Sequence, residues 1–396
     1  MPIDIAQARR DTPAASRFVH FNNAGAALMP TPVLQAQLHH LQREADMGGY
    51  EAAAAANDQL EATYDSIARL LNADRSEIAL VENATVAWDM AFYSVAFAPG
   101  DRILTAEAEY ASNYIAFLQI ARRTGAVIDV IPSNAAGELD IDGLARMIDP
   151  RVKLIAITHV PTNGGLVNPA EAVGRIARAH GILYLLDACQ SVGQIPIDTG
   201  IICCDMLSAT GRKYLRGPRG TGLLYVRRAI LDQLDPPFLD LQAATWTAPD
   251  RYELRGDARR FENWERNVAA QLGLGAAVDY ALALGLPAIE ARVKLLADDL
   301  RQRLADIGGV LIRDRGRHRC GIVTFTLEGK PSRDLVAALR QQRMNCHASA
   351  PGNTLLDSTA RRLPDLVRAS VHYYNTEDEV ARFAQAVAAL APSPAG

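Results

Sequence analysis

"ILYLLDACQSVGQIPIDTGIICCDMLSATGRK", residues 182–213, contains two short apolar runs, and each ends in groups that do not belong in a core. The first run closes on Asp187, with Gln190 three positions on. The second, roughly "CDMLSA", closes just before Thr210, Arg212 and Lys213. In an open parallel α/β sheet, ligands bind outside the carboxyl ends of the strands. A carboxylate buried at such an end needs a partner, because leaving it unpaired is costly. Capping the next helix is the ordinary alternative for Asp187. One strand end therefore offers an anion and an amide, and the other a hydroxyl, a guanidinium and an amine.

The surrounding pattern places both runs in such a sheet. "EIALV", "RILTA", "VIDVI" and "VKLIAITHV" are short apolar runs, separated by helical stretches such as "ATVAWDMAFYSVAF" and "PAEAVGRIARAHG". This alternation is the signature of βαβ units and a mostly parallel sheet, hence an α/β fold. The organisation changes after about residue 256. Two long helical patterns, roughly 263–285 and 287–307, lead into "GIVTFTL", "SRDLVAALRQQR", a short strand near "MNCHA", "LVRASVHY" and a helix from about Glu377. The expected division is an N-terminal segment 1–25 packing with a small domain, a large cofactor-binding domain 26–256, and a small C-terminal domain 257–396.

With 49% hydrophobic residues, the 396-residue chain can bury a large core, and its net charge of −4 argues against a nucleic-acid partner. No run of 18 apolar residues suggests a membrane span, and "MPIDIAQARR" lacks the apolar stretch of a signal peptide, so a cytoplasmic protein is expected. The five cysteines include no CxxC pair, and the histidines show no HExxH spacing, so neither a disulfide framework nor a metal site is expected.

Pyridoxal phosphate fits the residues at the two strand ends. It needs an amine for a Schiff base, a carboxylate for its pyridine nitrogen, and hydroxyl and cationic donors for its phosphate. "GPRGTG" does not compete as a dinucleotide motif, because it follows the lysine turn and opens a strand. Arg216 and Arg219 in that loop read equally as solvated charges or substrate contacts.

"FNNAGAALMP", "ENATVAWDMAF", "THVPTNGGLVNP", "LLDACQSVG", "SATGRKYLRGPRGTGLLYV" and "VRASVHYYNTEDEV" occur in an order that resembles the class V aminotransferases. This is the fold-type I pyridoxal phosphate family that includes cysteine desulfurases. The resemblance implies that Lys213 carries the cofactor and acts in catalysis, that Asp187 pairs with the pyridine nitrogen, and that Gln190 bonds the phenolic oxygen. Ala84, Thr85 and Thr210 would hold the phosphate, with Arg212 standing where many relatives have a histidine. Arg368 would clamp the substrate carboxylate, and Asn163 and Tyr50 complete the expected substrate contacts. A homodimer with active sites at its interface is implied too. There "RFENWERN" (260–267) would reach the neighbour's phosphate; Glu265 replaces the usual threonine, leaving Arg266 or Asn267 to substitute.

Two departures bear on the reaction. Desulfurases attack the substrate sulfur with a loop cysteine, but "SAPGNT" has none, and Cys346 precedes that loop in a strand. In "AEYASN", Tyr110 and Ala111 stand where desulfurases carry two histidines, so Tyr110 is expected to cover the cofactor ring, either stacking only or also exchanging protons with substrate as a catalytic residue. "READMGGYEAAAA", "EYASN" and "RKYLRGPRG" are similar to the subgroup of ergothioneine-pathway carbon–sulfur lyases and isopenicillin N epimerase-like proteins. The expectation is a lyase that releases pyruvate and ammonia from a cysteine-derived substrate by β-elimination. An aminotransferase or epimerase is the alternative, and a cysteine desulfurase ranks below both.

Overall fold

The computed structural model describes residues 3–392. Its larger sheet has seven strands: β1 (Ile78–Val81), β2 (Arg102–Ala106), β3 (Val127–Ile131), β4 (Val152–Thr158), β5 (Leu183–Asp187), β6 (Met206–Thr210) and β7 (Gly222–Val226). They lie in the order β1-β7-β6-β5-β4-β2-β3. Only β7 runs against its neighbours, while the pairs from β6 across to β3 are parallel. β1 and β5 to β7 are almost wholly buried, because helices cover both faces. That burial is why these strands read as continuous apolar runs without alternation.

Chain order reverses at β2. The strand after it, β3, goes outward to the edge, and β4 returns to the other side of β2. The carboxyl ends of β2 and β4 therefore flank a topological switch point, where a crevice forms. Thr158, Asp187 and Ser208 are register partners across β4, β5 and β6, so three polar side chains stand abreast at that crevice.

A second, antiparallel sheet comprises β8 (Val310–Ile312), β9 (Ile322–Leu327), β10 (His347–Ser349) and β11 (Leu366–Ser370), in the order β8-β9-β11-β10. The helix Val268–Leu284, apolar around most of its girth, is buried against the helices Thr31–Met47 and Asn57–Leu71. The strand expected near "MNCHA" is split at Cys346. Met344–Asn345 pairs with Val19–His20, and His347–Ser349 joins the smaller sheet. The start of the chain thus touches both regions, since Ser370 N donates to Phe21 O at 2.7 Å and Ala27 N to Arg212 O at 2.9 Å.

Arg216 is neither a solvated charge nor a substrate contact. Its side chain is 1% exposed, and φ of 61° turns it inward from the lysine loop. There it donates to Leu28 O, Thr12 Oγ1 and Tyr373 Oη, with its guanidinium 4.4 Å from the Tyr374 ring centre. The tertiary fold has enclosed it in hydroxyls and aromatic faces, which suit a planar cation. Arg219 is exposed.

Candidate active site

The cleft at the switch point is lined by Ala84, Thr85, Tyr110, Asn113, Thr158, Thr162, Asp187, Cys189, Gln190, Ser208 and Lys213, among others. Six of the site residues expected from sequence therefore converge: Ala84, Thr85, Tyr110, Asp187, Gln190 and Lys213. Each comes from a strand end or the turn beyond it, which is how residues 84 and 213 reach one place.

Asp187 does not cap a helix. Its Oδ1 accepts the Cys189 backbone N–H at 2.9 Å and its Oδ2 accepts Asn113 Nδ2 at 3.1 Å. Lys213 is half-buried by surface, yet its amine sits deep enough in protein that desolvation lowers its pKa, against the opposing pull of Cys189 and Asp187. A larger neutral fraction makes it a better nucleophile and base. Gln190 donates from Nε2 to Ala24 O at 3.1 Å, so the start of the chain holds one side of its amide.

Ala84 and Thr85 open the helix Ala84–Tyr93, whose cap Asn83 accepts from Val86 N at 3.0 Å. The first two N–H groups are left free to point at an anion. The opening of β7 passes so close that a Cβ on Gly222 would sit 2.5 Å from the Asn83 carbonyl carbon, so only glycine fits there. Thr210 bonds its hydroxyl to Thr221 O at 3.3 Å and is not among the lining residues. Arg212 carries a buried Nη1 with no protein partner.

Arg368 is 5% exposed on β11, and its Nη1 reaches Thr162 O at 3.2 Å and Thr162 Oγ1 at 2.5 Å. Burial pulls this guanidinium down to about 10. Asn163, also buried, donates to Thr354 Oγ1 at 3.4 Å, which ties the segment after β4 to the turn before the helix Leu355–Ala360. Tyr50 is not at this cleft within one chain. It is 72% exposed and lines a separate cavity with Trp264, Glu265 and Arg266.

Sequence reasoning missed Glu109, Asn113, Thr158 and Ser208. Glu109 carried the same signal as Asp187, a carboxylate just past an apolar strand, "RILTAEAE". Thr158 and Ser208 had no such signal, because their role comes from register. Cys189 lines the cleft as well, and burial, reinforced by Asp187, drives its thiol well above the ordinary range.

Two residues of the cleft lining carry buried polar atoms without protein partners, Gln190 Oε1 and Ser208 Oγ; Arg212 Nη1 and Arg368 Nε, whose charges act on Lys213, and Asn163 Oδ1, next to Thr162, are also buried and unpartnered. Unsatisfied buried groups are costly, so the set is built for a polar ligand. A phosphate at the Ala84–Thr85 helix start, a pyridine nitrogen at Asp187 and an aldehyde at Lys213 match it in charge and donor type. Pyridoxal phosphate therefore fits the residues present.

The family model for "Aminotransferase class-V" matches residues 19–383. A "Probable cysteine desulfurase" of Xylella fastidiosa (strain 9a5c) is 34% identical over 405 residues, covering 97% of this chain and 95% of that protein. A "Cysteine desulfurase" of Yersinia pestis (strain Pestoides F) is 31% identical, covering 96% and 97%. Among solved structures, the apo cysteine desulfurase of Thermococcus onnurineus NA1 superposes with a TM-score of 0.92 at 25% identity, covering 98% of both chains. The cystine C-S lyase C-DES, solved with its product cysteine persulfide, gives a TM-score of 0.87 at 23% identity, covering 96% of this chain and 100% of that one, which shows the fold alone. The chain belongs to the class V aminotransferases, fold-type I enzymes that bind pyridoxal phosphate.

Proposed function

We propose that this enzyme is a carbon–sulfur lyase that cleaves a cysteine-derived substrate by β-elimination, without a protein thiol as nucleophile. The observation that carries the reading is Cys346, which is 2% exposed, with a thiol that burial pushes up to about 12. The following segment, Ser349–Thr354, contains no cysteine. A protonated thiol inside the core does not attack a substrate sulfur. Cys189 lines the cleft, but burial, reinforced by Asp187, raises its thiol well above the ordinary range and so disfavours the thiolate.

Bound pyridoxal phosphate supplies the electron sink that makes the substrate α-proton acidic. Asp187 would hold the pyridine nitrogen and Gln190 the phenolic oxygen, with the phosphate on the Ala84 and Thr85 N–H groups and on Arg212; Thr210 would join them only by turning its hydroxyl away from Thr221 O. Arg368 and Asn163 would orient the substrate carboxylate. The Lys213 amine would take the α-proton as the Cβ–S bond breaks and its electron pair leaves with sulfur. The Tyr110 phenol, which lines the cleft, would give that sulfur a proton. The released enamine then hydrolyses with one water to pyruvate and ammonia.

The curated relatives are named cysteine desulfurases, and that is the second reading. The products separate the two: elimination gives pyruvate and ammonia in step with released sulfur, whereas desulfuration gives alanine and a protein persulfide. Alanine as the product from wild-type enzyme, with no activity in Cys346→Ser, would overturn the lyase reading. A keto acid that keeps its side chain would indicate transamination.

A homodimer is part of the proposal. Leu34, Leu38 and Leu41 form an exposed apolar stripe on the helix Thr31–Met47, the kind of patch a monomer rarely leaves open. Tyr50, Arg266 and Asn267 lie away from their own cleft, consistent with action at a neighbour's. Sedimentation of an active monomer would refute this.

A further inference from the structure

Glu109 is 3% exposed, yet the proposed mechanism does not use it. It lies in the turn between β2 and the helix Ala111–Thr124 and accepts from five donors. Oε1 takes Tyr110 N at 2.8 Å, Asn113 Nδ2 at 2.8 Å and Thr158 Oγ1 at 2.5 Å. Oε2 takes Thr105 Oγ1 at 3.0 Å and Thr158 N at 3.1 Å. The same Asn113 amide nitrogen donates to Asp187 Oδ2 at 3.1 Å. Two buried carboxylates are thus bridged by one neutral NH2 group.

We propose that Glu109 is a positioning residue for the cofactor's charge partner. Through Asn113 it fixes the amide that bonds Asp187 and couples its own charge to that carboxylate, and through the Tyr110 backbone it fixes the start of the helix that carries Tyr110 at the cleft. The inference rests on the proposed pairing of Asp187 with the pyridine nitrogen. Glu109 is not a helix cap, since it takes the Tyr110 N–H and the Asn113 side-chain amide and not the backbone N–H groups of the first turn. The bonds to Thr105 and Thr158 lock the carboxylate between β2 and β4, and the shared amide carries its influence to β5. A lone Asn113 could rotate and present its oxygen to Asp187; with an acceptor on each side, only the NH2 group satisfies both.

The groups facing Glu109 are Thr105 from β2, Thr158 from β4, Asn113 and the Tyr110 backbone from the helix, and Asp187 from β5. No cation lies within ion-pair distance of it among the described residues. Burial, reinforced by the Asp187 charge, raises its pKa to about 7 against the lowering effect of its donors. Above neutral pH, Glu109 therefore adds negative potential next to Asp187, which favours protonated forms of the bound cofactor.

The test is the pH midpoint of the cofactor's visible absorption band in the purified holoenzyme, together with cofactor content. Glu109→Gln should keep the band but move its midpoint down by on the order of one pH unit, the range expected when a nearby like charge is removed. Asn113→Ala should move it the other way, because Asp187 loses a donor while Glu109 stays charged. A midpoint unchanged in either folded, cofactor-loaded variant overturns the inference. If Glu109→Gln does not fold, Asn113→Ala decides alone. Asp187→Asn separates the underlying reading: if the band and midpoint survive that change, the pairing itself is wrong, whatever Glu109 does.

Discussion

Replacing Arg368 with methionine tests substrate recognition while leaving the fold nearly untouched. Burial lowers this guanidinium from 12.5 to about 10. At about 1.4 kcal/mol per pH unit, keeping it charged in the substrate-free cleft costs about 3 kcal/mol. For a base with a depressed pKa, the unfolded chain holds the proton longer, so this penalty is present throughout neutral pH and eases only above about pH 10. Methionine removes the penalty but also removes the two bonds to Thr162, each worth about 1.5 kcal/mol for a charged donor. The two effects nearly cancel, so the Tm of the substrate-free holoenzyme should move by no more than a few degrees, and cofactor content should hold. Substrate binding has no such compensation. Losing a charge-assisted pair of about 1.5–3 kcal/mol should raise KM roughly ten- to 150-fold for amino acids with a free carboxylate. Steady-state kinetics on cysteine conjugates measure this, with the decarboxylated amine as a control whose kinetics should not change. Loss of cofactor with an unchanged KM would refute the reasoning.

Lys213→Ala should abolish turnover and the visible cofactor band while the protein stays folded by circular dichroism; an unchanged spectrum would remove Lys213 from its assigned role. Cys346→Ser should retain most lyase activity, with pyruvate, ammonia and released sulfur in equal amounts, because the thiol is buried and protonated. Arg216→Ala should cost several kcal/mol in chemical denaturation, because it removes three hydrogen bonds from a charged donor, each worth about 1.5 kcal/mol, and should expose the N-terminal segment to proteases, since Thr12 and Leu28 lose their shared donor. Stability should also depend on pH through Glu109. A carboxyl whose folded pKa is raised to about 7 adds stability below its ordinary value of 4.5 and loses it as pH rises through 7, so the wild type should weaken across that window more than Glu109→Gln.

The sequence by itself determined the α/β class, the parallel sheet and the cofactor. Those follow from local signals: continuous apolar strands, and ligand-binding groups placed where strands end. Asp187 was legible because it ends an apolar run, and Lys213 because it stands a few residues beyond the end of another. Register was not legible. Thr158 and Ser208 stand beside Asp187 only because β4, β5 and β6 are staggered as they are, and nothing in their own neighbourhoods marks them. Arg216 and Glu109 were misjudged or passed over for the same reason. In sequence one is a loop arginine and the other a turn glutamate, and each is buried by elements more than 40 positions away: Thr12 and Tyr373 for the first, Thr158 and Asp187 for the second. Tyr50 shows the converse, since a resemblance assigned it to substrate and the single chain carries it to another cavity. Local pattern fixes which residues end strands; only the tertiary structure decides which strand ends meet, because pairing order and register depend on contacts distant in sequence.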